Sequence, residues 1–191
     1  QLVQGFALAY QGMVDQALEQ FSKAEALAPN NADLLMNIAW LLPQFGQPDR
    51  AVELTEKTLK LNPNFPYWYN QGLRLVYFFG REFDKSVKYA KRITTPFAVD
   101  YAYLAAASAM AGDIAGAKAA AGEVVRLDPN WSVEQYLSDG GGYPDDAAML
   151  FIEGARKAGV AACVAVDKLS SMPNLIHIKA CDEERAHQAA G

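Results

Sequence analysis

A helix-stop signal recurs along this chain: LAPNN at 27–31, LNPNF at 61–65 and LDPNW at 127–131. Each closes an apolar stretch with Leu, a variable residue, Pro and Asn, and a new register begins after it. Pro lacks an amide hydrogen and its ring clashes with the preceding turn, so a helix cannot run on through it unperturbed. Pro29 and Pro63 lie 34 residues apart, and Pro129 follows 66 later, close to two such periods. The stop between them is TTPF at 94–97, with Pro96 one residue early. A fixed period of this length reads as an array of similar units.

Glycines return in the same phase. Gly12, Gly46, Gly80 and Gly112 fall at intervals of 34, 34 and 32, opening GMVDQAL, GQPDRAV, GREFDKSV and GDIAGAK. A glycine there predicts a tight turn between two helices. Ala17, Ala51, Ser86 and Ala117 follow the turn glycine by five or six residues, the third unit carrying the extra one. Seven residues further come Ala24, Thr58, Ile93 and Val124, on the same face of a second helix. Small side chains at the first of these positions let the two helices of a hairpin approach closely. The units span about 1–31, 32–65, 66–97 and 98–130.

A helix–turn–helix of this period, with these small, apolar and Pro positions, resembles the tetratricopeptide repeat (TPR). The resemblance implies an all-α, right-handed superhelical stack of TPR hairpins, its concave groove lined by the first helix of each. It also implies a non-catalytic scaffold that holds a protein or peptide partner. One hairpin cannot bury its apolar face alone, so neighbours must stack and the array must be capped. On this assignment the groove-facing residues are Phe6 and Tyr10, then Met36, Asn37, Trp40 and Gln44, then Tyr67, Asn70, Arg74 and Tyr77. Aromatic side chains with Arg among them are the composition of interaction hot spots. The lysines with which some such modules clamp a C-terminal carboxylate are absent, leaving Arg74 as the one firm cation. Pro43 should kink the end of the second repeat's first helix, either turning Gln44 and Phe45 outward or simply shortening that helix.

Residues 131–162 read as a short helix, SVEQYL, a breaker-rich loop, SDGGGYPDD, and a capping helix, AAMLFIEGARKAGV. Asp145 and Asp146 would cap that helix and Gly159 would end it. Residues 163–191 leave the repeat pattern as an irregular tail whose last stretch, DEERAHQAAG, should fray. The phrase Phe151, Glu153, Gly154, Arg156, Lys157, Ala158, Gly159 resembles the end of bacterial multidomain proteins in which a class III nucleotide cyclase domain precedes such repeats. This implies the C-terminal regulatory part of a signalling protein, able to contact its own upstream domains. An adaptor in a secretion or envelope assembly system is the alternative.

Composition limits the remaining classes. With 51% hydrophobic and 20% charged residues the chain is globular, and its net charge of −5 argues against nucleic-acid binding. No run of 18 apolar residues suggests a membrane span. The first residues read as mid-helix, an expectation that the sequence is cut from a longer protein. Arg81, Lys85, Lys88 and Arg92 share one helical face, a solvated convex stripe or a surface for an acidic partner. Cys163 and Cys181 are two free thiols in a reducing, cytoplasmic setting, the plainer reading, or a disulfide in an oxidising, periplasmic one. A Cys163–His177 nucleophile pair lacks a third orienting group, and no catalytic, metal or cofactor site is expected.

Overall fold

Residues 1–189 are described by a computed structural model, the side chains of Tyr10, Gln188 and Ala189 excepted. Four hairpins follow one another: α1 (Leu2–Tyr10) with α2 (Val14–Leu27), α3 (Ala32–Leu41) with α4 (Pro48–Leu61), α5 (Tyr69–Phe79) with α6 (Phe83–Ala90), and α7 (Ala98–Met110) with α8 (Ile114–Leu127). No strand occurs among the described residues. The stop signals act as their chemistry requires, since α2, α4 and α8 end at Leu27, Leu61 and Leu127, just before each Pro. Gly12, Gly46 and Gly112 turn the chain with φ of 73°, 71° and 89°, a region hostile to side chains. Ala17, Ala51, Ser86 and Ala117 are all 0% exposed, which is how closely the two helices of each hairpin approach.

The third repeat departs from the others at its extra residue. There the left-handed position falls on Arg81, with φ 60°, one step after the glycine. Gly80 serves a different need, because a Cβ on it would lie 2.4 Å from Val52 Cγ2. The second helix, α6, has eight residues where α2, α4 and α8 have fourteen. It stops at Ala90 in a turn closed by Arg92 N–H to Tyr89 O and Ile93 N–H to Ala90 O. Pro96 therefore ends no helix; it precedes Phe97, the residue at the start of α7.

Pro43 shortens α3 and the chain continues as a 3₁₀ turn, Leu42–Phe45. Phe45 goes inward to stack on Phe21 at 6.3 Å, against the expectation that it is splayed out. Successive hairpins pack through α2 on α3, then α3 and α4 on α5, and most extensively through α6 on α7, with α5 on α7 beside it. The central helix α5 is buried at ten of its eleven residues. Its Leu73, Val76 and Tyr77 belong to a core shared with repeats one and two, while Leu75, Phe78 and Phe79 join a second core towards the C-terminus.

After the fourth hairpin come α9 (Val133–Asp139) and α10 (Asp145–Ala158). Ser132 caps α9 by accepting the Gln135 amide at 3.3 Å. Pro144, not an aspartate, holds the N-cap position of α10. Asp145 and Asp146 lie inside its first turn, where their charge favours the positive end of the helix dipole. As a cap, α10 covers α7 and α8. It also reaches back, placing Phe151 against Phe78 and Phe79 of the third repeat at 5.2 and 6.4 Å. The tail is more ordered than an irregular segment: a 3₁₀ turn, Val166–Ser171, leads to α11 (Lys179–Ala189). Cys163 and Cys181 form a disulfide across it. No helix among the described residues is long and apolar enough to cross a membrane.

Candidate binding groove

The first helices α1, α3, α5 and α7 form one face of the array, and the chain's own segment 131–144 lies along much of it. That segment starts at the fourth repeat, where Tyr136 meets Tyr103 edge-on at 6.1 Å. It passes the third repeat, where Tyr143 stacks on Phe79 at 5.4 Å. It ends at the second, where Gln44 donates to the Gly140 carbonyl and Pro144 lies against Gly46. Its own Val133 and Leu137 are 0% and 1% exposed, buried in the C-terminal core, and Trp40 packs against the same cluster. Burial pushes the hydroxyl pKa of Tyr103 and of Tyr143 up, so both stay neutral.

Among the described residues, the first repeat's share of the face stays open. There a cavity of about 620 Å³ lies between Phe6, Ala9 and Val14 on one side, Leu41, Gln44 and Phe45 on another, and the Asp139–Gly142 loop on the third. Its walls are apolar side chains, two amides (Gln11 and Gln44), glycine backbone and one carboxylate. Such a lining suits an uncharged or apolar segment.

Of the ten residues expected to face the groove, the structure puts only Phe6 and Gln44 in this cavity. The side chain of Tyr10 lies outside the described residues. Met36 and Tyr77 are 0% and 1% exposed and hold repeats together; Tyr77 donates to Glu56 at 2.9 Å. Asn37 bonds back to Asp33 O within its own helix, and Asn70 to Tyr67 O. Tyr67 is exposed, its hydroxyl accepting the Thr94 and Thr95 amides. Trp40 is half-buried against the C-terminal cluster. Arg74 is 4% exposed, paired with Asp100 at 2.7 Å and set 4.4 Å above the Tyr103 ring. These five positions, with Met36 and Tyr77, are therefore packing or surface positions rather than walls of the open cavity; over the third and fourth repeats the chain's own segment covers the face.

The basic stripe is also dispersed, since α6 stops before Arg92. Lys85 is neutralised by Glu56 and Glu82, both at 2.7 Å. Lys88 and Arg92 flank the Tyr89 ring at 5.3 and 5.5 Å, and Arg81 faces α10 beside Asp146 and Glu153. Cys163, bonded to Cys181, is no free nucleophile for His177.

Two residues that local sequence patterns did not single out join the tail to the groove segment. Glu134 of α9 is 0% exposed and accepts both Arg185 nitrogens, at 2.8 and 2.9 Å, and the Val164 amide at 2.9 Å. Burial would raise its carboxyl pKa, but Arg185 and the Val164 and Ile178 amides outweigh that and leave it below the usual value. Asp182 and His177 complete the cluster, but the cation at its centre is Arg185, 2.6 Å from Asp182, rather than a metal. The α9 amides of Val133 and Glu134 donate to Ala161 O and Ala162 O. Glu134 and Arg185 lie 51 residues apart, so no spacing rule could have paired them.

Residues 8–70 match the family model of the tetratricopeptide repeat. No curated protein sequence matches the chain. Among solved structures, the fold is similar to a crystal structure of MamA protein, with TM-score 0.55 and 21% identity over 81% of this chain and 88% of that one. A second crystal structure of MamA gives TM-score 0.55 and 21% identity over 81% and 94% of the two chains. A MamA RS-1 ArsTM double mutant gives 0.56 and 19% over 80% and 89%. At this identity the likeness shows the fold: an all-helical solenoid of tetratricopeptide type.

Proposed function

We propose that this chain is a non-catalytic scaffold that holds a segment of a partner protein on its first-helix face, at the open cavity of the first repeat. The observation that carries this reading is the chain's own behaviour: its segment 131–144 lies along the same face through aromatic stacking and a side-chain-to-backbone hydrogen bond. The face thus takes a peptide segment of the chain itself, and its share at the first repeat is an open cavity. The cavity's apolar and amide lining selects an uncharged segment, in keeping with the absence of a carboxylate clamp.

Two biological settings fit such a scaffold. The phrase from Phe151 to Gly159 supports the regulatory end of a cyclase-type signalling protein. The Cys163–Cys181 disulfide favours the second, an adaptor in an envelope or secretion assembly, because such bonds persist in oxidising compartments.

The test replaces Gln11 and Val14, which line the cavity without entering the core, by glutamate. Proteins captured by the tagged double variant are compared with those captured by the native chain and by Lys118→Glu on exposed α8. Loss of specific partners by tenfold or more in the double variant alone is expected. Equal capture by all three chains rules out the cavity as the binding site.

A further inference from the structure

The covered part of the first-helix face carries a second reading, which rests on the scaffold function and adds its regulation. Segment 131–144 is held down at its start by the tail, through the Glu134–Arg185 pair and the Val164 amide on Glu134, and by Ala161 O and Ala162 O just before the tail, which accept the Val133 and Glu134 amides. The tail in turn is closed on itself by the disulfide between Cys163 and Cys181, 18 residues apart. Beneath the segment sits a group whose chemistry is incomplete: Arg74 is 4% exposed, yet its Nη1 has no hydrogen-bond partner among the described residues. A buried guanidinium nitrogen without an acceptor is costly, and a segment that supplied a carbonyl or carboxylate would relieve that cost.

We propose that the disulfide latches segment 131–144 over a docking surface, and that reduction opens this surface to a partner. The partner is a short helical segment with aromatic residues like Trp131, Tyr136 and Tyr143, and an acceptor for Arg74. The reductant is a dithiol, which gives up two hydrogens and becomes a disulfide while the Sγ–Sγ bond breaks to leave two thiols. With the cross-link gone, the tail regains the chain entropy that the closed loop had removed, and opening becomes easier by on the order of 100-fold. Arg185 and the Val164 amide then leave Glu134 more often, and α9 loses these anchors on its first turn. The cavity at the first repeat and the surface beneath α9 become one continuous groove, since residues 139–142 line the cavity's wall.

The experiment uses the whole native chain, oxidised and after treatment with a small dithiol, with Cys163→Ser/Cys181→Ser as a permanently open form. Hydrogen exchange read by mass spectrometry reports residues 133–143, and a labelled synthetic peptide of residues 131–144 serves as the partner probe. Reduction is expected to speed exchange in 133–143 by roughly 10- to 100-fold. The probe should bind the reduced and double-serine chains at least tenfold more tightly than the oxidised one. Acceleration confined to the tail, or equal probe binding in both redox states, overturns the proposal. Neither readout involves Gln11 or Val14, so a failure here is separate from a failure of the first-repeat cavity.

Discussion

Glu134 shows how much one carboxylate can organise. It sits in a short helix with no exposed surface, and its oxygens are satisfied by groups from the far end of the chain. Because its folded pKa lies below the ordinary 4.5, the charge contributes stability that is fully present above that value. That contribution is lost as the pH falls through the lower folded pKa. Asp182, held low chiefly by its hydrogen bond from Arg185, acts in the same direction. Protection of α11 amides against exchange is expected to decline below about pH 4.5, and Glu134→Gln to flatten that decline. An unchanged pH profile in the variant means the ion pair does not dock the tail. Arg74 teaches the converse lesson about reading single residues. Its register on α5 was legible and its position on the first-helix face follows from it, but its burial was not. Whether a groove cation faces water or an aspartate depends on Asp100, 26 residues away, and on the segment that returns over it.

Between elements, α10 and α7 meet closely enough for backbone to oppose backbone at Gly154. A Cβ added to Gly154 would lie 2.9 Å from the Ala106 Cβ and 3.3 Å from its Cα, and backbone cannot yield as a flexible side chain does. Gly154→Ala gains just under 1 kcal/mol of helix propensity, while overpacking costs about 1–3 kcal/mol. The net expected is a loss of about 1 kcal/mol, read from the urea midpoint at constant slope. A more stable variant would mean that α10 can shift away from α7 freely. The hairpins themselves were plain in the sequence, because Pro stops, turn glycines and small positions are local and repeat. The third repeat's irregularity was visible as one extra residue. Its consequence was not: the left-handed position moved to Arg81, Gly80 came up against Val52 of the neighbouring hairpin, and α6 ended at Ala90. The tail's helix escaped notice because α11 is charged on its outer face and gains its hold from Cys181 and Arg185 rather than from an apolar stripe.

At the scale of the molecule, the chain is an array whose two ends behave differently. A solenoid is stabilised by each unit and its nearest neighbours, so damage at one end need not travel. The core divides within α5, with Phe21 in the N-terminal cluster and Phe151 in the C-terminal one. The C-terminal half is closed by α9, α10 and the tail, whereas the first repeat, among the described residues, packs on the second through α2 and α3. The contact between Gln44 and Gly140 spans 96 residues, the kind of closure that periodicity cannot announce because it breaks the period. These features predict uneven unfolding. Phe21, 0% exposed and packed on Phe6 and Phe45, should cost about 3–5 kcal/mol when replaced by Ala. That loss should appear as faster hydrogen exchange in α1–α3, while α7 and α10 keep native protection. If exchange instead rises uniformly from α1 to α10, the two cores unfold as one. The segment along the first-helix face would then couple the whole array, and a partner seated at the first repeat would be felt at the disulfide.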